Sequence, residues 1–170
     1  MSDRKMESKT HAGQPISFRF ATRDDIPVLI ALLRDDDLGR QREADDAHSL
    51  GQYEEAFARM SGQPGNRILL GLNGDEIVGM LQLTIIHGLT HQGRSRAQIE
   101  GVRVKGNVRG QGYGKQLFQQ AFDIGKAEGC FVAQLTTDNR RADARRFYES
   151  LGFQATHHGM KRSLCDEPGV

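Results

Sequence analysis

Val102-Arg103-Val104-Lys105-Gly106-Asn107-Val108-Arg109-Gly110-Gln111-Gly112-Tyr113-Gly114-Lys115 decides how this chain folds, because within these residues a β pattern gives way to a helical one. Upstream, residues 97–104 read as a strand with Glu100, Val102 and Val104 on one face. Downstream, Leu117, Phe118, Ala121, Phe122 and Gly125 recur at helical spacing, Gly129 closes that helix, and residues 131–136 form a short apolar run expected to be a buried strand. Together they predict a β-loop-α-β unit. Between strand and helix, Gly110, Gly112 and Gly114 alternate, so their N–H groups can approach an anion with no Cβ in the way. The helix N-terminus adds about half a positive charge, and Arg109 and Lys115 add whole ones. A glycine-rich turn that merely reverses the chain is the alternative. Placement and flanking charge favour a pyrophosphate cradle.

Two phosphate-binding loops are excluded. A Walker A loop ends in Gly-Lys-Ser or Gly-Lys-Thr, whereas Gln116 follows Gly114-Lys115 and offers no hydroxyl to magnesium. A dinucleotide site needs G-x-G-x-x-G in the first βα turn, whereas this spacing is G-x-G-x-G and comes late in the chain.

Working outward, residues 67–72 and 77–86 are β-rich and flank Asn73-Gly74, which predicts an antiparallel hairpin with a type I′ turn. Residues 16–21 alternate as a strand. A helix capped by Asp24 follows, with Pro27 at its third position, a stripe of Ile26, Leu29, Ile30 and Leu33, and an end near Asp35. Leu50, Tyr53, Phe57 and Met60 mark a second helix. Ala144, Phe147, Tyr148 and Leu151 mark a last one closed by Gly152, and residues 153–164 fit one or two terminal strands. The sum is a mixed α/β chain with an antiparallel meander first and a βαβ crossover later. Residues 1–15 are expected to be a disordered N-terminal tail, 16–164 a single domain, and 165–170 a C-terminal tail.

The chain has 170 residues, and 23 Lys and Arg against 22 Asp and Glu leave a net charge of +1, without the basic excess of a nucleic-acid binder. Cys130 and Cys165 are too few for a disulfide framework. No apolar run is long enough to suggest secretion or a membrane span. These observations predict a cytoplasmic protein with neither nucleic acid nor membrane as partner.

Arg109-Gly110-Gln111-Gly112-Tyr113-Gly114 resembles the Q/R-x-x-G-x-G/A loop of the GNAT superfamily of acyl-CoA-dependent N-acetyltransferases. Ala144-Arg145-Arg146-Phe147-Tyr148-Glu149-Ser150-Leu151-Gly152-Phe153 is similar to the A-x-x-[FL]-Y-x-x-x-G-F ending of that superfamily's last helix. The two motifs stand in the right order, about thirty residues apart. The resemblance implies a mixed, mostly antiparallel sheet of six to seven strands flanked by about four helices. It also implies acetyl-CoA as cosubstrate, with backbone groups of Val102, Arg103 and Val104 pairing with the pantetheine arm. Arg109, Gly110, Gln111, Gly112, Tyr113, Gly114 and Lys115 would hold the pyrophosphate, and the thioester would lie in a gap between the strands at 97–104 and 131–136. The family's Asn seven residues before the Tyr is here Arg141; Asn139, two residues earlier, is the substitute cofactor contact.

Amine acetylation requires a deprotonated nitrogen, and an aliphatic amine is almost wholly ammonium at neutral pH. Glu100, on the strand that would deliver the thioester, is the candidate base; pairing with Arg96 or Arg103, or orienting an ammonium, are its other roles. Held among Ile99, Val102 and the opposite strand, it would be partly desolvated. By resemblance, Tyr148 is the phenol that protonates the departing thiolate; a packing role is the alternative. His87, His91, His157 and His158 lack metal-ligand spacing, so no metal is expected. The acidic runs at 35–37 and 45–46 are either a solvated face or an attractor of a cationic amine. Cys130 is expected to be a small buried hydrophobe.

These features predict direct transfer of an acetyl group from acetyl-CoA to a primary amine, of a small molecule, in a ternary complex without a covalent intermediate. An enzyme acting on protein lysines or N-termini, and a non-catalytic acyl-CoA-sensing module, are the alternatives. A homodimer is left open.

Overall fold

The computed structural model describes residues 15–164, in two compact units that meet at Ala133 and Gln134 and are taken separately. The expected C-terminal tail, and the N-terminal one up to residue 14, lie outside the described residues.

Five strands, β1 (Ser17–Phe20), β2 (Asn66–Asn73), β3 (Glu76–Ile86), β4 (Ser95–Val104) and β5 (Cys130–Gln134), lie in one sheet in that order. β1 through β4 pair antiparallel. Helices α1 (Ile26–Leu33), α2 (Asp37–Arg42) and α3 (Ala47–Ser61) fill the β1–β2 connection. Thr90–Gly93 (α4) is a single turn, and α5 (Tyr113–Ala127) crosses from β4 to β5. α6 (Ala142–Ser150) belongs to the second unit.

The expected six to seven strands are corrected to five among the described residues, because residues 153–164 contain none. After Phe153 that stretch has no apolar alternation, and Met160 and Leu164 are 93% and 95% exposed, so an added strand would have no face to bury. Strand β5 is half-exposed where a buried strand was expected, with Phe131 and Val132 at 38% and 41%.

The sheet is covered on two faces. On one, Leu117, Phe118 and Ala121 of α5 are fully buried, and Tyr113 packs with Ile16 and Val78. On the other, Leu29 and Leu32 of α1 pack on Leu70 and Met80, with Phe57 of α3 against them. Each fully buried Leu, Ile or Phe contributes roughly 1.5–3 kcal/mol, so these layers carry most of the stability. Of the α3 stripe expected from Leu50, Tyr53, Phe57 and Met60, the last three are half-buried whereas Leu50 is exposed, and no residue of that helix is fully buried.

Three local details differ from expectation. In the hairpin, Asn73 pairs with Glu76, so the turn centres on Gly74-Asp75 and Gly74 takes the positive φ of 60°; a type I′ turn centred on Asn73-Gly74 would need both residues there. The entry to α1 is fixed by Asp25 and Thr22 in place of Asp24: the Thr22 N–H donates to the Asp25 carboxylate at 2.7 Å and its hydroxyl donates at 3.1 Å. Strand β4 carries a bulge. Met80 pairs with Arg103 and Gln82 with Glu100, which leaves Gly101 and Val102 opposite Leu81, with Gly101 at φ 58°. The extra residue reverses the alternation, so Glu100 and Val104 are on opposite faces and not on one.

Candidate active site

The first unit brings together the glycine loop, the bulged end of β4 and the carboxyl end of α1. Gly110 and Gly112 take φ of 79° and 87°, conformations that a side chain strains, and nothing lies within 4 Å of the position a Cβ on Gly110 would occupy. Gly112 caps α5 and, as a glycine, supplies no side-chain capping bond to the helix's first turn. Helix geometry leaves the Tyr113, Gly114 and Lys115 amides without intrahelical acceptors, so they are donors for an anion at the loop. Lys115 is exposed beside them, whereas the Tyr113 ring is in the core and offers the loop its backbone only. An amide-rich loop with open space at Gly110 and a lysine beside it fits a pyrophosphate.

Arg109 is held by contacts within the protein. Its Nε donates to the Val104 carbonyl at 2.9 Å, and its Nη2 donates to the Asp35 carbonyl at 2.9 Å and the Asp35 carboxylate at 3.1 Å. The Gly106 N–H donates to the same carboxylate. The side chain thus ties the loop to the segment just past α1. The acidic run divides its work in a way neither sequence alternative foresaw. Asp35 holds the loop, Asp36 caps α2 by accepting from the Gly39 N–H at 2.6 Å, and Asp37 pairs with Arg40. Arg103, paired across the sheet with Met80, has its Nη1 on the Val102 carbonyl at 2.9 Å and its Nε 3.9 Å from Asp36.

Glu100 is exposed, not enclosed by Ile99 and Val102. Its cross-strand partner is Gln82, so the two side chains stand on the same face, the one covered by α1 and α3. That face holds a polar row. Gln82 Nε2 and Thr84 Oγ1 donate to Asn66 Oδ1 at 2.9 and 3.1 Å, and Asn66 Nδ2 donates to Gln63 Oε1 at 2.7 Å. Asn66 is buried at 8% exposure, with its polar groups satisfied within the row. The polar row was missed at the sequence level, although Gln82 and Thr84 alternate with Leu81, Leu83 and Ile85, which is itself the signal of a polar stripe on one face.

In the second unit, Tyr148 is half-buried on α6, with ring centroids 5.6 Å from Phe147 and 6.1 Å from Phe153. Gly152 at φ 90° ends the helix, and the Phe153 N–H returns to the Tyr148 carbonyl at 3.1 Å. Asn139 lies exposed in the turn before α6.

His87 Nδ1 lies 2.7 Å from Ser95 Oγ, and the His91 ring packs on Phe131 at 4.8 Å. No group of three metal-ligating side chains occurs among the described residues, nor is any helix there long and apolar enough to cross a membrane. Cys130 is half-buried, its thiol pushed up by burial and by Glu128.

Residues 30–153 match the acetyltransferase (GNAT) family, a span that extends into both units. Over 112 residues, 66% of this chain and 72% of the relative, the sequence is 30% identical to the aminoalkylphosphonate N-acetyltransferase of Salmonella typhimurium. It is 35% identical over 88 residues, 52% of this chain and 58% of the relative, to the glucosamine 6-phosphate N-acetyltransferase of Trypanosoma brucei brucei. A solved structure from Bacillus halodurans C-125, described as a transcriptional regulator, superposes with a TM-score of 0.83 at 45% identity, covering 88% of this chain and all of that one. With the family match spanning most of its length, and the glycine loop and α6 motif in their expected elements, the chain belongs to the GNAT family of acyl-CoA-dependent N-acetyltransferases.

Proposed function

We propose that this chain moves an acetyl group from acetyl-CoA to a primary amine of a small molecule, by direct attack in a ternary complex, with residues 16–164 working as one catalytic domain. The observation that carries this reading is the bulge in β4 at Gly101, which puts the Glu100 carboxylate on one face of the sheet and the Val104 side chain on the other, four positions along one strand. One strand thereby addresses both substrates.

Glu100 takes the proton from the ammonium, directly or through water, and its exposure leaves it accessible to an incoming amine. The amides of Gly112, Tyr113, Gly114 and Lys115, with the Lys115 ammonium, hold the pyrophosphate, and Gly110 and Gln111 shape the approach. Val102, Arg103 and Val104 offer backbone groups to the pantetheine, and Asn139 a side-chain amide. Arg109 acts indirectly, by fixing the loop to Asp35. Tyr148 supplies the proton that the leaving thiolate takes up. The scarcity of cysteine supports a cytoplasmic place of work.

The test is CoA release from acetyl-CoA with a panel of primary amines, followed by the mass of the product. An amide heavier than its amine by one acetyl group, formed without a labelled acyl-protein, is the expected result. The regulator-like description of the Bacillus halodurans relative supports acyl-CoA sensing as a second reading. Sensing predicts tight acetyl-CoA binding with no amine-dependent CoA release.

A further inference from the structure

A cavity of about 370 Å³ lies between α1, α3 and the sheet, within the size range of small-molecule sites. Its body is apolar: Leu29, Ile30 and Leu33 come from α1, Phe57 and Met60 from α3, and Met80 from β3. Its polar lining consists of neutral groups, namely Gln63, Asn66, Gln82 and Tyr53. Among the described residues lining it there is no Lys, Arg or His.

Two consequences follow from that lining. A phosphate or phosphonate buried here would lose its hydration with no cation to replace it, and an isolated buried anion is among the costliest groups to desolvate. The rim carries both signs, because Tyr53 donates its hydroxyl to the Glu43 carboxylate at 2.5 Å with Arg34 close enough to act on it, Arg103 pairs opposite Met80, and Glu100 stands beside Gln82. The same arrangement favours an amine at one end. Gln82 spends its Nε2 on Asn66, which leaves its Oε1 to accept from an amine N–H next to the Glu100 carboxylate.

We propose, resting on the small-molecule acetyltransferase reading above, that the acceptor is a primary amine on an uncharged apolar skeleton, alkyl or arylalkyl. It is seated in this cavity with its nitrogen at Gln82 and Glu100. By their names, the two curated relatives act on amines that carry a phosphonate or a phosphate. This cavity selects against both.

The test compares 2-phenylethylamine with 2-aminoethylphosphonate on the full chain, by calorimetric binding in the presence of CoA and by initial rates with acetyl-CoA. The expected result is binding and turnover of 2-phenylethylamine with kcat/KM at least roughly ten-fold above that of the phosphonate. Ala56 lines the cavity from α3 and is exposed, so Ala56→Lys adds a cation there without disturbing the core. It should narrow or reverse the preference. Equal or better binding of 2-aminoethylphosphonate by the unsubstituted protein overturns the inference, while turnover of it would leave small-amine acetylation standing. Binding of 2-phenylethylamine without turnover does the opposite, supporting the cavity assignment and overturning acetyl transfer to such amines. Failure of both amines to bind also overturns the inference.

Discussion

Arg109 and Asp35, far apart in sequence, join the glycine loop to the segment just past α1 through two hydrogen bonds from one guanidinium nitrogen, at 2.9 Å to the carbonyl and 3.1 Å to the carboxylate. The Gly106 N–H accounts for a third link to the same aspartate. α1 also lines the apolar cavity, so one residue couples the wall of the acceptor cavity to the loop that would receive the pyrophosphate.

Asp35→Ala should therefore weaken acetyl-CoA binding while leaving the fold in place. Exposed ion pairs contribute about 0–1 kcal/mol to stability, whereas loosening a preorganised loop reduces affinity by roughly 5- to 30-fold. Calorimetry gives the affinity and thermal unfolding the stability. Undiminished affinity would show that the loop holds its shape without Asp35.

Gly112 sits at φ 87° where the loop becomes a helix. Gly112→Val strains that conformation by about 1–2 kcal/mol and sets a branched side chain at the anion site. Acetyl-CoA binding should be lost in a protein whose circular dichroism is unchanged. A folded variant that binds normally would remove the loop from the cofactor site.

Glu100→Gln keeps the shape of the side chain and removes its basicity. Turnover at neutral pH should fall by roughly 10²–10⁴-fold and recover at high pH, where the amine deprotonates unaided. The pH–rate profile of kcat decides it. A raised KM for the amine with kcat unchanged would make Glu100 an ammonium-binding group instead.

For Tyr148, the informative change is the loss of one oxygen. Tyr148→Phe preserves the packing on Phe147 and Phe153 and should lower turnover by at least roughly ten-fold with acetyl-CoA affinity nearly intact. Equal kcat in the two proteins would leave Tyr148 a packing residue.

Asp25 makes a prediction about stability. The Arg19 guanidinium, bonded to it at 2.7 Å through both nitrogens, holds its carboxyl well below the usual carboxylate range at about 2, with the Thr22 bonds assisting and burial opposing. A depressed folded-state value stabilises the protein above the unfolded-state value, near 4, and that contribution disappears as pH falls through about 2. Asp25→Asn should cost about 2 kcal/mol at pH 7 and almost nothing at pH 2. Denaturant unfolding at the two pH values checks this; an equal loss at both would mean that packing, not charge, is what Asp25 contributes.

By itself, the sequence determined what depends on neighbours along the chain. The glycine spacing before Tyr113, the apolar period of α5, and the ending of α6 at Gly152 are local, since helical periodicity and left-handed glycine turns need no distant partner. Tertiary structure decided whatever depends on register or on contacts between distant residues. One inserted residue at Gly101 turned Val104 to the opposite face from Glu100, because strand alternation has a period of two and a single-residue slip reverses every side chain beyond it. Sequence cannot show that Arg109 faces Asp35, since a guanidinium takes whichever acceptors the fold brings within its fork. Nor does a strand form at 153–164 from propensity alone, because a strand is stabilised by a paired edge and a buried face, and that stretch has neither among the described residues.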